Sequence, residues 1–256
     1  MSILLSEQNG GVLTLTLNRP EAINAFTTEM LQALAKAFHK EAAAPEVRAV
    51  VLKGAGRGFC SGQDLREFEG QTISYKAHLR NYVAVVENIA ALEKPVIAAI
   101  HGAAAGAGMS LALACDLRIA SSDAVFTTGF SRIGLIPDAG MNYTLPRIVG
   151  YAKAFELEAL SPRLTAEQAL GLGLVNRVVP TERFAEEVGR LADELAAGPT
   201  KTYGLIKRAL RRSAGATLEE MLEYEALLQE VASRTEDHKE GVQAFYQKRA
   251  AKFAGR

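Results

Sequence analysis

The chain has 256 residues, 48% of them hydrophobic, which is enough for a substantial buried core and is not the composition of a disordered chain. Its 29 basic and 29 acidic side chains cancel, so no overall field recruits nucleic acid or an anionic membrane, and an anionic ligand must be met by a local patch. Cys60 and Cys115 are too few for a disulfide framework, and MSILLSEQNG has no basic flank and no long apolar run, so the expectation is a soluble cytoplasmic protein.

In chain order, Val12–Leu17 (VLTLTL) alternates apolar and threonine side chains, the period of a half-buried strand, and Asn18-Arg19-Pro20 ends it. Residues 27–42 place Met30, Leu31, Leu34 and Phe38 at helical spacing. A second β-rich run, residues 47–52, empties into GAGRGFCSGQDL. Strand, helix and strand in that order predict a parallel unit with a right-handed crossover. Residues 73–92 read as a long amphipathic helix with Val83, Val86, Ile89 and Ala90 on its apolar side, and 95–101 (PVIAAIH) as a strand covered on both faces. At Gly102 the pattern turns into a helix of small residues, 106–114. The apolar run 103–115, interrupted by Gly106, Gly108 and Ser110, is too short for a membrane span and reads as a buried core helix.

Short strands are expected at 117–120 and 124–127, and a last one at 174–179 before Pro180. Beyond Thr181 the pattern is helical: 182–197, 200–212, 218–233 and 237–252. A soft boundary near Gly198-Pro199 divides a core, residues 1–198, from a helical segment, 199–256, too thin to hold a core alone. Its stripe of Met221, Tyr224, Leu227, Leu228 and Val231 should pack on the main body or on another subunit.

Several chemistries are excluded by spacing. Gly54-Ala55-Gly56-Arg57-Gly58 follows a strand, but the last glycine of a dinucleotide fingerprint would fall at Phe59. There is no GK[ST] phosphate loop, and Gly129-Phe130-Ser131-Arg132-Ile133 lacks the closing glycine of a serine nucleophile elbow. His39, His78, His101 and His238 are scattered without metal-ligand spacing, and His101, at a strand-to-helix turn, suits a hydrogen-bonded structural role.

Two glycine-rich turns follow two strands, GFCSGQDL at 58–65 and GAAAGAG at 102–108. If they converge, two backbone N–H groups could hold one carbonyl oxygen as it becomes an oxyanion; otherwise the glycines mark only tight turns and close packing. Asp138, in GFSRIGLIPDAG (129–140), also has two readings. Pro-Asp before small residues is a common helix cap, whereas the apolar approach 133–137 would raise its pKa and suit an acid/base.

LNRP (17–20), GAGRGFCSGQDL (54–65), KPVIAAIHGAAAGAGMSLALACDLRIAS (94–121), FSRIGLIPDAG (130–140) and GVQAFYQKR (241–249) together resemble the crotonase, or enoyl-CoA hydratase/isomerase, superfamily. The resemblance is collinear over nearly the whole chain. It implies an α/β fold, a crotonase-like spiral of ββα units with a C-terminal helical oligomerisation segment, assembled as a homotrimer or dimer of trimers. The implied partner is an acyl-CoA thioester, with no nucleic acid, membrane or separate cofactor, coenzyme A being part of the substrate.

The family's oxyanion-hole N–H groups carry over to Gln63 and Ala107. Gly62, Asp64, Leu65, Gly106, Gly108, Phe130, Pro137 and Gly140 are the implied substrate-binding surroundings, with Lys248 reaching toward the CoA phosphates of a neighbouring subunit. The two glutamates that activate water in hydratases are replaced here by Ser110 and Phe130, and Asp138 stands where hydratases have glycine. That pattern is similar to the isomerase branch, which rearranges ring epoxides of phenylacetyl-CoA and shifts β,γ double bonds into conjugation. The alternatives are an enoyl-CoA hydratase and a catalytically silent acyl-CoA-binding protein.

Overall fold

The computed structural model describes residues 2–70 and 72–256. The first half of the chain runs β1 (Leu4–Asn9), β2 (Val12–Leu17), α1 (Thr28–Lys36, continued by a π turn over Ala37–Glu41), β3 (Ala49–Gly54), α2 (Tyr75–Ala91), β4 (Val96–Ile100) and β5 (Ala103–Ala105). It continues through α3 (Ala107–Ala114), β6 (Leu117–Ser121) and β7 (Val125–Thr127). The second half is mostly helical: α4 (Met141–Val149), α5 (Tyr151–Leu160), β8 (Leu164–Thr165), α6 (Ala166–Gly171), β9 (Arg177–Val179), α7 (Phe184–Ala196), α8 (Thr200–Ser213), α9 (Leu218–Ser233) and α10 (Glu236–Tyr246).

A six-stranded sheet has the order β1-β2-β3-β4-β6-β9, antiparallel only at its β1 edge. A smaller sheet joins β5, β7 and β8, and isolated parallel bridges, Phe26↔Gln63 and Cys60↔Ala104, continue its pattern to earlier segments. Each turn of the chain therefore contributes a long strand to the first sheet, a short extended piece to the second, and then a helix: β2, Phe26, α1; β3, Cys60 to Gln63, α2; β4, β5, α3; β6, β7, α4. This is the spiral of ββα units, and it stacks equivalent points of successive turns beside one another. The loops that follow the second piece of turns two and three become neighbours for that reason.

The period of two sets which core each strand residue joins. Val50, Leu52, Val96, Ala98 and Ile100 face the larger core under α1 to α4, while Ala49, Val51, Ile97 and Ala99 face α7 through Val188, Leu191 and Ala192. Both faces of β4 are thus covered, as its unbroken apolar sequence predicts.

Three expectations need correction, and a fourth, the packing of the α9 stripe, is met in part. The run 103–115 is not all helix, because Ala103–Ala105 pair with Val125–Thr127 as β5 before α3 begins. The expected apolar side of α2 is rotated: Tyr82, Val85 and Ile89 are buried, whereas Val83 is 48% exposed. The last helix stops at Tyr246 rather than 252, since Lys248 turns to φ +52° and the chain folds back so that Asp237 accepts from the N–H groups of Ala254 and Gly255. The stripe on α9 divides, with Met221 and Leu228 buried in this chain and Leu227 and Val231 exposed.

Polar clamps fasten the helical segment to the core. Lys207 Nζ on α8 donates to Asp116 Oδ2 at 2.7 Å and to the Ile89 carbonyl at 2.8 Å. Burial pushes the Asp116 carboxyl up from its ordinary value, and Lys207 opposes that shift. Lys207→Met should leave this mostly buried carboxylate without its counter-charge and cost about 2 to 3 kcal/mol. A urea titration checks this; an unchanged midpoint would show that the clamp contributes nothing to stability.

Candidate active site

A cavity of about 160 Å³ opens where the loops of turns two and three meet α2 and the segment 129–138. Gly62 lies at φ +98° and Gly106 at φ +53°, a region that side chains disfavour. The loops are in close contact, since a Cβ built on Gly62 would lie 3.0 Å from Ala105 O and 3.4 Å from Ala107 N. Next along the chain stand Gln63 and Ala107, both lining the cavity.

The N–H groups on either side of Gln63 are engaged differently from its own. Phe26 N–H donates to Gly62 O at 2.7 Å and Asp64 N–H donates to Phe26 O at 2.9 Å, so the parallel bridge is made by both backbone groups of Phe26 and uses neither the N–H nor the C=O of Gln63, whose N–H meets no acceptor among the described residues. Ala107 is the first residue of α3, where an N–H has no intrahelical partner. Among the described residues, two backbone donors without an acceptor thus belong to residues that line one cavity, one of them at the positive end of a helix dipole. Beneath the first loop, burial pushes the Cys60 thiol up to about 12, and its sulfur lies 3.1 Å from the Asn24 carbonyl, a packed prop rather than a nucleophile.

Asp138 is in the wall of the same cavity. It does not cap α4: the N-cap residue is Gly140, and Asp138 contributes only its carbonyl, to Met141 N–H at 3.0 Å. Ala139 at φ +49° and Gly140 at φ +86° turn the chain between the aspartate and the helix. Its Oδ1 is buried with no hydrogen-bond partner. Desolvation by burial raises its pKa from 3.8 to about 6, as the apolar approach 133–137 leads one to expect.

From the sequence, Phe68, Tyr75, Leu79, Tyr82, Phe130 and Tyr143 are candidates to line an aromatic pocket, and five of these six line the cavity, together with Leu65 and Leu135. The sixth, Tyr143, lies elsewhere, under the Arg147 guanidinium at 3.6 Å. Phe130 is nearly buried, and Ser110 turns its hydroxyl back to Gly106 O at 3.4 Å. The positions that carry glutamates in hydratases thus present no carboxylate.

The other expected binding residues have different surroundings. Asp64 is bound to Arg66 at 2.9 Å and Arg19 at 3.0 Å, which hold its carboxyl well below the usual range. Gly108 packs against the Cys60 carbonyl, close enough that a Cβ there would overlap it. Pro137 and Gly140 line a neighbouring groove that shares Asp138, Tyr82, Leu79, Tyr75 and Leu135 with the first cavity. Lys248 lies in the turn after α10 and does not line the cavity.

One lining residue went unread in the sequence, His78, set aside for lack of metal-ligand spacing. Its helical spacing from Tyr75 and Tyr82, which places all three on one side of α2, was the available signal. Among the described residues no cluster of three His, Cys, Asp or Glu side chains could hold a metal ion, and no helix is long and apolar enough to cross a membrane.

The enoyl-CoA hydratase/isomerase family model matches residues 7–256. A 1,2-epoxyphenylacetyl-CoA isomerase of Escherichia coli (strain K12) is 42% identical, with 100% of each chain covered. A protein named probable enoyl-CoA hydratase from Rhodobacter capsulatus is 41% identical over 98% of this chain and 97% of its own. The crystal structure of an enoyl-CoA hydratase from Bacillus anthracis superposes with a TM-score of 0.95 at 31% identity, covering 100% of both chains.

Proposed function

Since this chain belongs to the enoyl-CoA hydratase/isomerase family, we propose that it is a CoA-thioester isomerase in which Asp138 is the acid/base and the N–H groups of Gln63 and Ala107 form the oxyanion hole. The observation that carries the reading is the Asp138 carboxyl. Its Oδ1 is buried without a hydrogen-bond partner in the wall of the cavity that Gln63 and Ala107 also line, and burial raises its pKa to about 6.

With a β,γ-unsaturated thioester, the Asp138 carboxylate takes a proton from the α carbon. The C–H electron pair moves into the thioester, and the oxygen that gains charge is held by the two N–H donors. The Asp138 carboxylic acid then returns the proton to the γ carbon, leaving the double bond conjugated with the carbonyl. Atoms and charge balance without an added water. The ring 1,2-epoxide of phenylacetyl-CoA fits the same steps, with proton loss at the α carbon, opening to the oxepin and proton return to the ring. The volume supports a ring-sized acyl group: about 160 Å³ is close to the roughly 150 Å³ apolar cavity that accommodates benzene.

Hydration is disfavoured because Ser110 and Phe130 cannot activate water. In the assembled enzyme, Leu218, Leu222, Leu227, Phe245 and Tyr246 offer exposed apolar surface for a homotrimer to cover, and Lys248 would then serve a neighbouring subunit's CoA.

The test is a panel of CoA thioesters, including a β,γ-enoyl-CoA, the ring epoxide and crotonyl-CoA, assayed for isomerisation and hydration side by side. Isomerisation without crotonyl-CoA hydration supports the proposal, and brisk hydration overturns it. Tight ester binding without exchange of α-protons into heavy water would instead identify a silent binding protein. Turnover per active site should rise with pH and level off above about 6, because the first step needs the ionised form of Asp138. A pH profile of kcat/KM that stays flat from 5 to 8 would remove Asp138 from that step.

A further inference from the structure

Gln63 is placed in the site by its backbone, yet its side chain is held more fully than any other in the cavity wall. Its Oε1 accepts from the Tyr82 hydroxyl at 2.6 Å and lies 3.0 Å from His78 Nε2, both on α2. Its Nε2 donates to Glu67 Oε2 at 3.0 Å and approaches Asp64 O at 3.4 Å. The Glu67 carboxylate in turn accepts from Thr28 N–H, the first of α1, at 2.9 and 3.1 Å. The rings are packed edge to face, Phe68 on His78 with centroids 4.7 Å apart and His78 on Tyr82 at 5.6 Å.

The donor inventory decides what this cluster can do. Tyr82 has one O–H, and it goes to Gln63. With Oε1 as the shared acceptor, His78 must place its proton on Nε2 and give it to the same oxygen. The two amide hydrogens of Gln63 point to Glu67 and Asp64. Every side-chain donor of the cluster is turned toward another part of the protein, so none is left for a substrate. The backbone N–H groups of Gln63 and Ala107, also in this wall, are the donors left to meet a thioester oxygen beside this cluster. A polar cluster in an apolar cavity that presents no donor to it is built to fix something, and the atom it surrounds is the Gln63 amide.

We propose that Tyr82 and His78 are positioning residues that act through the Gln63 side chain, holding the Gln63 peptide at the angle from which its N–H meets the thioester oxygen. The inference rests on the acyl-CoA reading and adds the reason a glutamine occupies this position. A smaller side chain would supply the same N–H but no handle for α2. Because Tyr75, Leu79 and Tyr82 also wall the Asp138 groove, the handle ties one oxyanion donor to the helix that flanks the acid/base.

The test uses phenylacetyl-CoA carrying ¹³C at the thioester carbonyl, bound to the full-length protein, with the carbonyl stretch read by isotope-edited infrared difference spectroscopy. In the native protein the stretch should fall below its value in water. Tyr82→Phe and His78→Phe should each recover roughly half of that fall, the share of one of two oxyanion donors. Gln63→Met should recover as much, and Tyr82→Phe placed on top of Gln63→Met should add nothing.

An unmoved frequency in both single variants with ligand bound would overturn the inference. So would full additivity in the double variant, which would mean that Tyr82 acts on the substrate directly. Should Tyr82→Phe fail to fold, His78→Phe alone decides by the same criterion. Failure of the native protein to bind phenylacetyl-CoA would sink the acyl-CoA reading and this inference with it, and is distinguishable because no bound carbonyl band would be seen.

Discussion

Asp138→Asn should lower turnover of a β,γ-enoyl-CoA by two to four orders of magnitude, the usual worth of a positioned general acid/base, while making the folded protein more stable at neutral pH. The two effects have one cause. Asparagine fills the same space but has no carboxylate to accept a proton, so the first step loses its base. The native carboxylate is ionised above about pH 6 in a site that offers its buried Oδ1 no partner, and that ionisation opposes folding.

The sign follows from the raised pKa. Below about pH 4 the carboxyl is protonated in both folded and unfolded chains and costs nothing. Between about 4 and 6 the unfolded chain loses its proton first, so stability falls as pH rises, and above 6 the full cost is present. A shift of two units would correspond to ~3 kcal/mol, and partial exposure of the group reduces this to about 1 to 2 kcal/mol. Paired thermal melts of the native protein and Asp138→Asn should therefore separate at pH 8 and converge near pH 4. Retained turnover in a folded variant would end the acid/base assignment, and coincident melts at pH 8 would mean that solvent reaches the carboxylate more freely than its burial implies.

What could be read from the sequence, and what could not, divides along physical lines. β2, β3 and β4 are legible because burial on one or both faces writes itself into side-chain pattern. β1, Leu4–Asn9, is not, because it is an edge strand whose last five residues are exposed and its place comes from pairing with β2. β5 is three alanines, the strongest helix formers, and it becomes a strand only because Cys60 and β7 flank it with backbone partners. Residues 141–171, which form α4, α5, β8 and α6, carried no reading, and Pro146 inside α4 is a signal against helix that tertiary packing overrides.

The site shows the same division. The glycine loops announced close approach, but that Gly62 and Ala107 belong to adjacent turns of a spiral is a property of the topology. Asp138 as cap or acid could not be decided locally, because the answer turns on Ala139 and Gly140 adopting positive φ. The cost of an alanine there is of order 1 kcal/mol, and it moves the helix N-cap to Gly140, two residues past the aspartate. An orphan carboxylate oxygen is not by itself a sign of function. Glu158 Oε1 on α5 is also buried without a partner, but Glu158 does not line the cavity.

Gly62→Ala should leave the protein folded and reduce kcat by two to three orders of magnitude, the worth of a lost oxyanion donor. Two independent features at this position produce the effect. The backbone lies at φ +98°, outside the region an alanine occupies without strain, and the new methyl would stand 3.0 Å from Ala105 O and 3.4 Å from Ala107 N. Both neighbours are backbone atoms of the second loop, so relief must come from parting the two loops or rotating the Gln63 peptide, and either moves one N–H away from the oxygen it should meet. The stability cost should be about 1 to 3 kcal/mol, because the strain is confined to one turn and the parallel bridge between Phe26 and Gln63 stays available.

Gly70→Ala is the control, since Gly70 also has positive φ but has no atom within 4 Å of a built Cβ. It shares the backbone strain without the steric contact and should retain near-native kcat. If Gly62→Ala loses kcat while its KM for a CoA ester stays within a few-fold of native, the lost interaction is one made in the transition state, as an oxyanion donor requires. A variant that instead loses binding and keeps kcat would mean that the paired loops serve only to shape the entrance, and the assignment of Gln63 and Ala107 as the donors would fail with it.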